Sequence, residues 1–232
     1  YVKFTPGSLV CTLNGDTSRI RQTSGVFLPT LSKWKGEGGF VNWEGTIFVD
    51  SLQFVELNDY EVKLSGSYFS ASPVTFHTNL FDDALEGKLD FKVKASRSIL
   101  EQTYPRFESK EEKLELLNIF PNMDFVGGIV VKGSKLSGTS IGDTPGYLKI
   151  YNNDTLFVRC FVEEMLFTRD GLSATKSTLS IYLDKDSMYH PSIVVRYDDI
   201  GKRLRVIRDE DGVGLQAFSD SYHKIDFQVE AM

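Results

Sequence analysis

L-D-F-K-V-K, Leu89 to Lys94, decides the fold class: apolar Leu89, Phe91 and Val93 alternate with charged Asp90, Lys92 and Lys94. Successive side chains of a β-strand point to opposite faces, so a period of two puts one set in a core and the other in water. Tyr60, Val62 and Leu64 alternate with Glu61 and Lys63 in the same way, and residues 178–183 and 224–229 repeat the pattern. Residues 46–57 are rich in β-branched and aromatic types, with Leu52, Phe54 and Glu56 on one side. One dry face and one wet face mark antiparallel sheet.

Turn chemistry agrees. N-N-D at 152–154 separates two strand-like runs, and Asn and Asp tolerate the positive φ of a tight hairpin. D-D-I-G-K at 198–202 and D-E-D-G at 209–212 bracket a strand at 204–208. The glycines of 36–39 and 127–128 open strands, so they read as bulges or corners. A nucleotide-binding cradle would instead follow a strand and open a helix. One segment, residues 108–120, fits two descriptions. Ser109 and Glu112 suit a capping box with Leu114, Leu117 and Ile119 on a helical face, yet Leu114, Leu116, Asn118 and Phe120 also alternate.

An internal repeat is visible. G-E-G-G-F-V-N-W-E-G (36–45) is matched by V-G-G-I-V-V-K-G-S-K-L-S-G (126–138). S-Y-F-S-A-S-P-V-T-F-H (67–77) is matched by D-G-L-S-A-T-K-S-T-L-S-I-Y (170–182). The expectation is an all-β fold of mostly antiparallel twisted sheets, a sandwich or a solenoid-like stack, with at most one short helix. Residues 1–232 form a single β-rich domain holding two related sheet units, about 34–107 and 124–230.

The bulk numbers narrow the function. A chain of 232 residues, 41% hydrophobic, supports a sizeable core. Twenty-six Lys and Arg against 32 Asp and Glu give a net charge of -6, which leaves no electrostatic footprint for nucleic acid. Cys11 and Cys160 form no C-x-x-C motif and read as two inert thiols, with their pairing left open. No apolar run reaches the ~18 residues of a membrane-spanning helix. The start at Tyr1 rather than Met suggests a mature product or an excised piece.

Candidate chemistry is sparse. D-K-D-S-M-Y-H-P, residues 184–191, sets Asp184 and Asp186 at the first and third positions of a calcium loop, but Met188 and Tyr189 break the pattern. The segment reads as a turn out of a strand. His77, His190 and His223 have no metal-ligand spacing. Glu163 and Glu164 lie in an apolar neighbourhood, but neighbours on a strand face opposite ways and do not make an acid pair. No catalytic residue, metal or cofactor is expected. The basic run at 202–208 reads as cross-strand pairing with nearby Asp residues. The aromatics carry the one ligand-binding expectation: Trp34, Trp43, Tyr60 and Tyr68, around a Gly-rich turn, are either core residues or a stacking platform for sugar faces.

Several phrases, among them G-E-G-G-F-V-N-W-E-G, Y-P-R-F-E-S, I-F-P-N-M-D-F-V-G-G, D-S-M-Y-H-P-S and D-S-Y-H-K-I-D, resemble an internal β-rich segment of large uncharacterised cell-envelope proteins of Bacteroidota. The resemblance runs from about Trp34 to Val229. It implies an exported, modular protein of the periplasm or outer membrane, whose partners are flanking segments of a larger chain or envelope components. It carries no catalytic residue. The repeated sheet units are similar in style to AsmA-like and TamB-like proteins, which would bring lipid in as a partner beside polysaccharide. The expected function is a non-enzymatic structural or interaction module, with carbohydrate binding through Trp34 and Trp43 as the alternative and glycoside hydrolysis behind it.

Overall fold

The computed structural model describes residues 1–13, 16–43, 53–80, 83–93, 103–110, 113–208, 216–220 and 226–227. Among them are twenty strands and one 3-10 turn at Pro29–Leu31, and the strands pair antiparallel. The fold is all-β. The chain forms two compact units, one of Tyr1–Lys110 with Val130–Lys135, the other of Glu111–Ile129 with Leu136–Met232.

In the first unit β1 (Val2–Leu13) and β2 (Asp16–Leu28) form a hairpin. β2 then pairs with β3 (Lys33–Glu37) and β4 (Phe40–Asn42), which act as one strand broken at Gly38-Gly39. These face β6 (Asp59–Lys63) and β5 (Phe54–Leu57), a second strand broken at Asn58. β7 (Tyr68–His77), β8 (Leu85–Lys92) and β9 (Arg106–Ser109) complete the meander.

The breaks fall side by side. β2 has Gln22 at φ 51, β3 and β4 part at Gly38 and Gly39 with φ 65 and 105, and β7 slips register between Ala71 and Val74. Stacked bulges of this kind raise local twist and bend a sheet along one line. Gly39 is required there: a Cβ would lie 2.7 Å from the Arg21 carbonyl oxygen and 2.8 Å from Thr23 Cβ.

The second unit contains β10 (Leu114–Phe120), β11 (Met123–Lys132), β12 (Lys135–Thr139), β13 (Gly146–Asn152), β14 (Thr155–Val162) and β15 (Glu164–Thr168). β16 (Gly171–Leu183), β17 (Asp186–Asp198), β18 (Arg203–Arg208), β19 (Phe218–Asp220) and β20 (Asp226–Phe227) follow. β14 and β15 part at Glu163, and β16 slips register between Ala174 and Ser177 with Lys176 at φ 53. β11 pairs through residues 123–126 with β13, and through Val130, Val131 and Lys132 with β9.

The two ladders share one register. On β7, Ser70 faces Glu61 and Phe76 faces Val55; on β16, Ser173 faces Leu166 and Leu179 faces Cys160. On the other side, Ala71 faces Leu89 and Val74 faces Gly87, as Ala174 faces Val195 and Ser177 faces Ile193. Residues 69–77 and 172–180 carry the same order of buried, half-buried and exposed positions through their bulges. The match continues outward: Val41 with Val55 corresponds to Leu148 with Cys160, and Leu9 with Ile20 to Leu116 with Phe125. The Gly38-Gly39 break is replaced by a longer excursion at 140–145, tied by Ile141 and Thr144.

Core side chains follow from the alternation. Phe76 and Phe107 stack at 4.7 Å beside fully buried Leu89 in the first unit, and Phe125 meets Phe167 edge-on at 5.3 Å in the second. N-N-D is the predicted hairpin: Asn152 faces Thr155, and Asn153 and Asp154 have φ of 49 and 59.

The segment that fits both helix and strand resolves as strand. Residues 114–120 are strand, not helix; Asn118 at φ 51 makes a bulge between Leu116 and Phe120, and the extra residue imitates a helical spacing. Glu163 sits in the β14–β15 break, so strand alternation does not govern it, and both Glu163 and Glu164 are exposed. Residues 44–52, Glu112, residues 209–212, His223 and most of 224–229 lie outside the described residues.

Candidate functional site

Trp34 on β3 and Tyr60 on β6 stand on neighbouring strands, with Gly36 opposite Tyr60. Trp34 Nε1 donates to the Tyr60 hydroxyl at 3.3 Å, and Thr23 Oγ1 on β2 lies 2.7 Å from that hydroxyl. Burial pushes the Tyr60 phenol above its ordinary range, and the hydrogen bonds with Thr23 and Trp34 pull part of the way back. A neutral phenol that both gives and accepts satisfies a buried polar knot. Thr23 was invisible in the sequence, because the bulge at Gln22 turns it inward against the simple alternation.

The four aromatic candidates divide. Trp34, Trp43 and Tyr60 are core residues, 6%, 4% and 5% exposed. Trp43 meets Phe76 edge-on at 5.6 Å, Trp34 lies 5.6 Å from Phe4, and Tyr60 lies 6.4 Å from Phe69. Tyr68 is 46% exposed, and its hydroxyl donates to Asp90 at 2.6 Å. Burial alone would raise the Asp90 carboxyl, but hydrogen bonds from Tyr68, Ser70 and Lys88 hold it below the usual carboxylate range. Stacking on a sugar needs an open ring face, and three of these rings have theirs against other side chains.

An apolar cavity of about 310 Å³ adjoins Trp34, lined also by Phe4, Leu9, Phe27 and Leu64. A shallower depression of about 590 Å³ lies over Gly25 and Gly36, with Glu37, Asp59 and Glu61 at its rim. Glu61 is held below the usual carboxylate range by hydrogen bonds from Lys33 and Lys35, 2.8 and 3.4 Å away, and Glu37 and Asp59 are exposed. A glycosidase acid needs the opposite, an apolar setting that keeps its proton on.

D-K-D-S-M-Y-H-P is a hairpin: Leu183 faces Asp186 across Asp184-Lys185, with Asp184 at φ 51. His190 is fully buried. Its Nδ1 accepts from the Ser192 N–H at 3.2 Å, which leaves Nε2–H to donate to the Gln216 carbonyl at 2.9 Å, and the ring lies 4.7 Å from Phe218. His77 stacks on Phe54 at 4.6 Å, with Glu56 3.3 Å from Nε2. Among the described residues no three His, Cys, Asp or Glu side chains gather as a metal site. Lys202 pairs with Asp199 at 2.6 Å and Arg203 faces Asp198, but Arg205 faces Arg196, a like-charge pair.

Both thiols are free, and burial raises both, Cys160 to about 12. A thiol that holds its proton is a poor nucleophile and a poor metal ligand. No protein-family model, curated protein or solved structure matches the chain.

Proposed function

We propose that the chain is a non-enzymatic structural or interaction module of an exported cell-envelope protein, built from two copies of one sheet unit. The observation that carries this reading is the shared register of the two ladders, down to the bulge between Ala71 and Val74 and its counterpart between Ala174 and Ser177. A repeated sheet unit extends by strand addition to neighbours, which suits a load-bearing or docking element. The aromatic residues serve that packing: Trp34, Trp43 and Tyr60 fill the core beside the cross-strand partners of β7. The resemblance to Bacteroidota envelope segments supplies the location, and with it the partners, which are flanking sections of a larger chain or other envelope components.

Fractionation of the native cells, read with an antibody to this chain, tests the location; recovery with the envelope is expected and recovery in the cytosol overturns it. Tryptophan fluorescence titrated with cell-wall and capsular oligosaccharides tests the rest. With both indoles in the core, no spectral shift is expected. A saturable shift, or release of reducing ends, replaces the structural reading with a carbohydrate-active one.

A further inference from the structure

One sheet face of the second unit gathers positive charge. Alternation turns Leu148, Ile150, Val158 and Cys160 into the core, so Tyr147, Lys149, Arg159 and Phe161 stand half-buried on the opposite face. The β13–β14 register sets Tyr147 beside Phe161 and Lys149 beside Arg159, a like-charge cross-strand pair. Lys113, just ahead of β10, joins them. Its Nζ lies 4.8 Å from the centre of the Tyr147 ring, with Lys149 Nζ at 5.8 Å and Arg159 Cζ at 5.9 Å. The electron-rich ring draws the three cations together.

Carboxylates answer only part of this charge. Glu115 pairs with Lys149 at 2.8 Å, and Asp124 takes the Asn118 N–H at 3.0 Å and the Tyr151 hydroxyl. Neither Lys113 nor Arg159 makes an ion pair among the described residues, and the buried Nε of Arg159 has no acceptor. Like charges this close repel, and an anion bound between them relieves the repulsion.

Beside the cluster lies a recess of about 180 Å³, lined by Lys113, Gly127, Ile141, Thr144 and Pro145. Gly127 contributes backbone alone, and a Cβ there would lie 2.6 Å from the Thr139 carbonyl oxygen. The 140–145 excursion builds the wall, held by the two backbone hydrogen bonds between Ile141 and Thr144, each 2.9 Å.

Resting on the interaction-module reading above, we propose that this patch binds an acidic polysaccharide through one carboxylated sugar unit. The carboxylate pairs with Lys113 and Arg159, and the sugar ring occupies the recess against Ile141 and Pro145. The carbon–hydrogen faces of a sugar suit apolar walls, and Thr144 brings a hydroxyl for the sugar's own hydroxyls. The number of charges fits a sparsely charged chain. Two open cations on a protein of net charge -6 match one carboxylate per sugar, whereas duplex nucleic acid brings a charge every ~1.7 Å and meets overall repulsion.

The test is titration calorimetry of the chain with polygalacturonate at low salt. Saturable binding is expected, weakened about tenfold or more by Arg159→Gln or Lys113→Gln and lost in ~1 M salt, where charge is screened within ~3 Å. Lys63→Gln, the same charge change in the first unit, should leave binding unchanged. Urea midpoints establish that the variants fold; should Arg159→Gln fail to, Lys113→Gln at its exposed position decides. No binding, equal binding of the methyl-esterified polymer, or an equal loss in Lys63→Gln overturns the proposal. Polyglutamate that binds as tightly as polygalacturonate also overturns it, since the patch then reads charge alone. Each of these leaves the structural reading standing, because that falls with the fractionation or a tryptophan shift, and no tryptophan lines this patch.

Discussion

Thr23 Oγ1 and the Tyr60 hydroxyl lie 2.7 Å apart on residues from β2 and β6, strands that do not pair with each other. β3 runs between them, and the Trp34 indole on β3 donates to the same Tyr60 oxygen at 3.3 Å. The knot ties three strands across their hydrogen-bond ladder. Tyr60→Phe leaves the Trp34 N–H without this acceptor in a buried place and is expected to cost about 1–3 kcal/mol in urea unfolding. Thr23→Val is expected to cost about 1 kcal/mol. Because both remove one shared bond, the double variant should cost less than the sum of the two. Additive losses would show that the three groups do not act as a unit.

Alkaline pH should weaken the fold in two stages. Burial lifts the Cys160 thiol from its ordinary 9.0 to about 12. Burial, then the hydrogen bond to Asp199 and the charges of Asp199 and Asp198, lift the Tyr197 phenol from 10.0 to about 12. The folded state thus holds both protons more tightly than the unfolded chain, so their stabilisation is complete below pH 9 and lost as pH climbs to 12. Urea midpoints measured from pH 8 upward should fall first from pH 9 and more steeply beyond pH 10. Tyr197→Phe should remove part of the second fall. A thiol reagent at pH 8 should leave Cys160 untouched until the chain is unfolded.

Strand periodicity was legible because β7, β8 and β16 alternate cleanly between core and solvent on either side of their bulges. What alternation hides is the bulge itself. At Asn118 and Gln22 an extra residue shifts the phase, so a strand resembled a helix in one place and an inward Thr23 looked outward in the other. The aromatic set shows a second limit. Trp34, Trp43 and Tyr60 read as core by default with a platform as the alternative, because a ring beside a glycine-rich turn suits both, and only the strands stacked around it decide. The matched registers were less legible still, since they rest on which residues face each other and little on residue identity: Val55 corresponds to Cys160 and Gly87 to Ile193.

Two adjacent glycines should respond differently to alanine. Gly38 has φ 65 with open space around a Cβ, so Gly38→Ala carries only the left-handed backbone penalty of about 1–2 kcal/mol. Gly39, at φ 105, would also push a Cβ to 2.7 Å from the Arg21 carbonyl oxygen. Gly39→Ala should therefore cost well over 2 kcal/mol or block folding. Equal losses would mean that the bend does not depend on the close approach of β2.

His190 should behave as a structural residue. His190→Leu leaves the Ser192 N–H and the Gln216 carbonyl without their ring partners, and about 2–4 kcal/mol of stability should go with them. His190→Gln, which offers an acceptor and a donor, should recover part of it. Chelators should leave the melting temperature of the unaltered chain where it is. A drop on chelation would instead place an ion near residues 184–191.

If the two ladders are equivalent, equivalent truncations should have equivalent reach. Phe76 and Leu179 stand at matched positions two residues beyond their bulges, 0% and 1% exposed, facing Val55 and Cys160. Phe76→Ala is expected to cost about 3–5 kcal/mol and Leu179→Ala about 2–5. The spatial pattern is the sharper readout. Hydrogen exchange in Phe76→Ala should rise on β5, β7 and β8, and in Leu179→Ala on β14, β16 and β17, because these are the strands each side chain touches through its ladder. Exchange that rises on unrelated strands in the two variants would separate the units physically despite their common register.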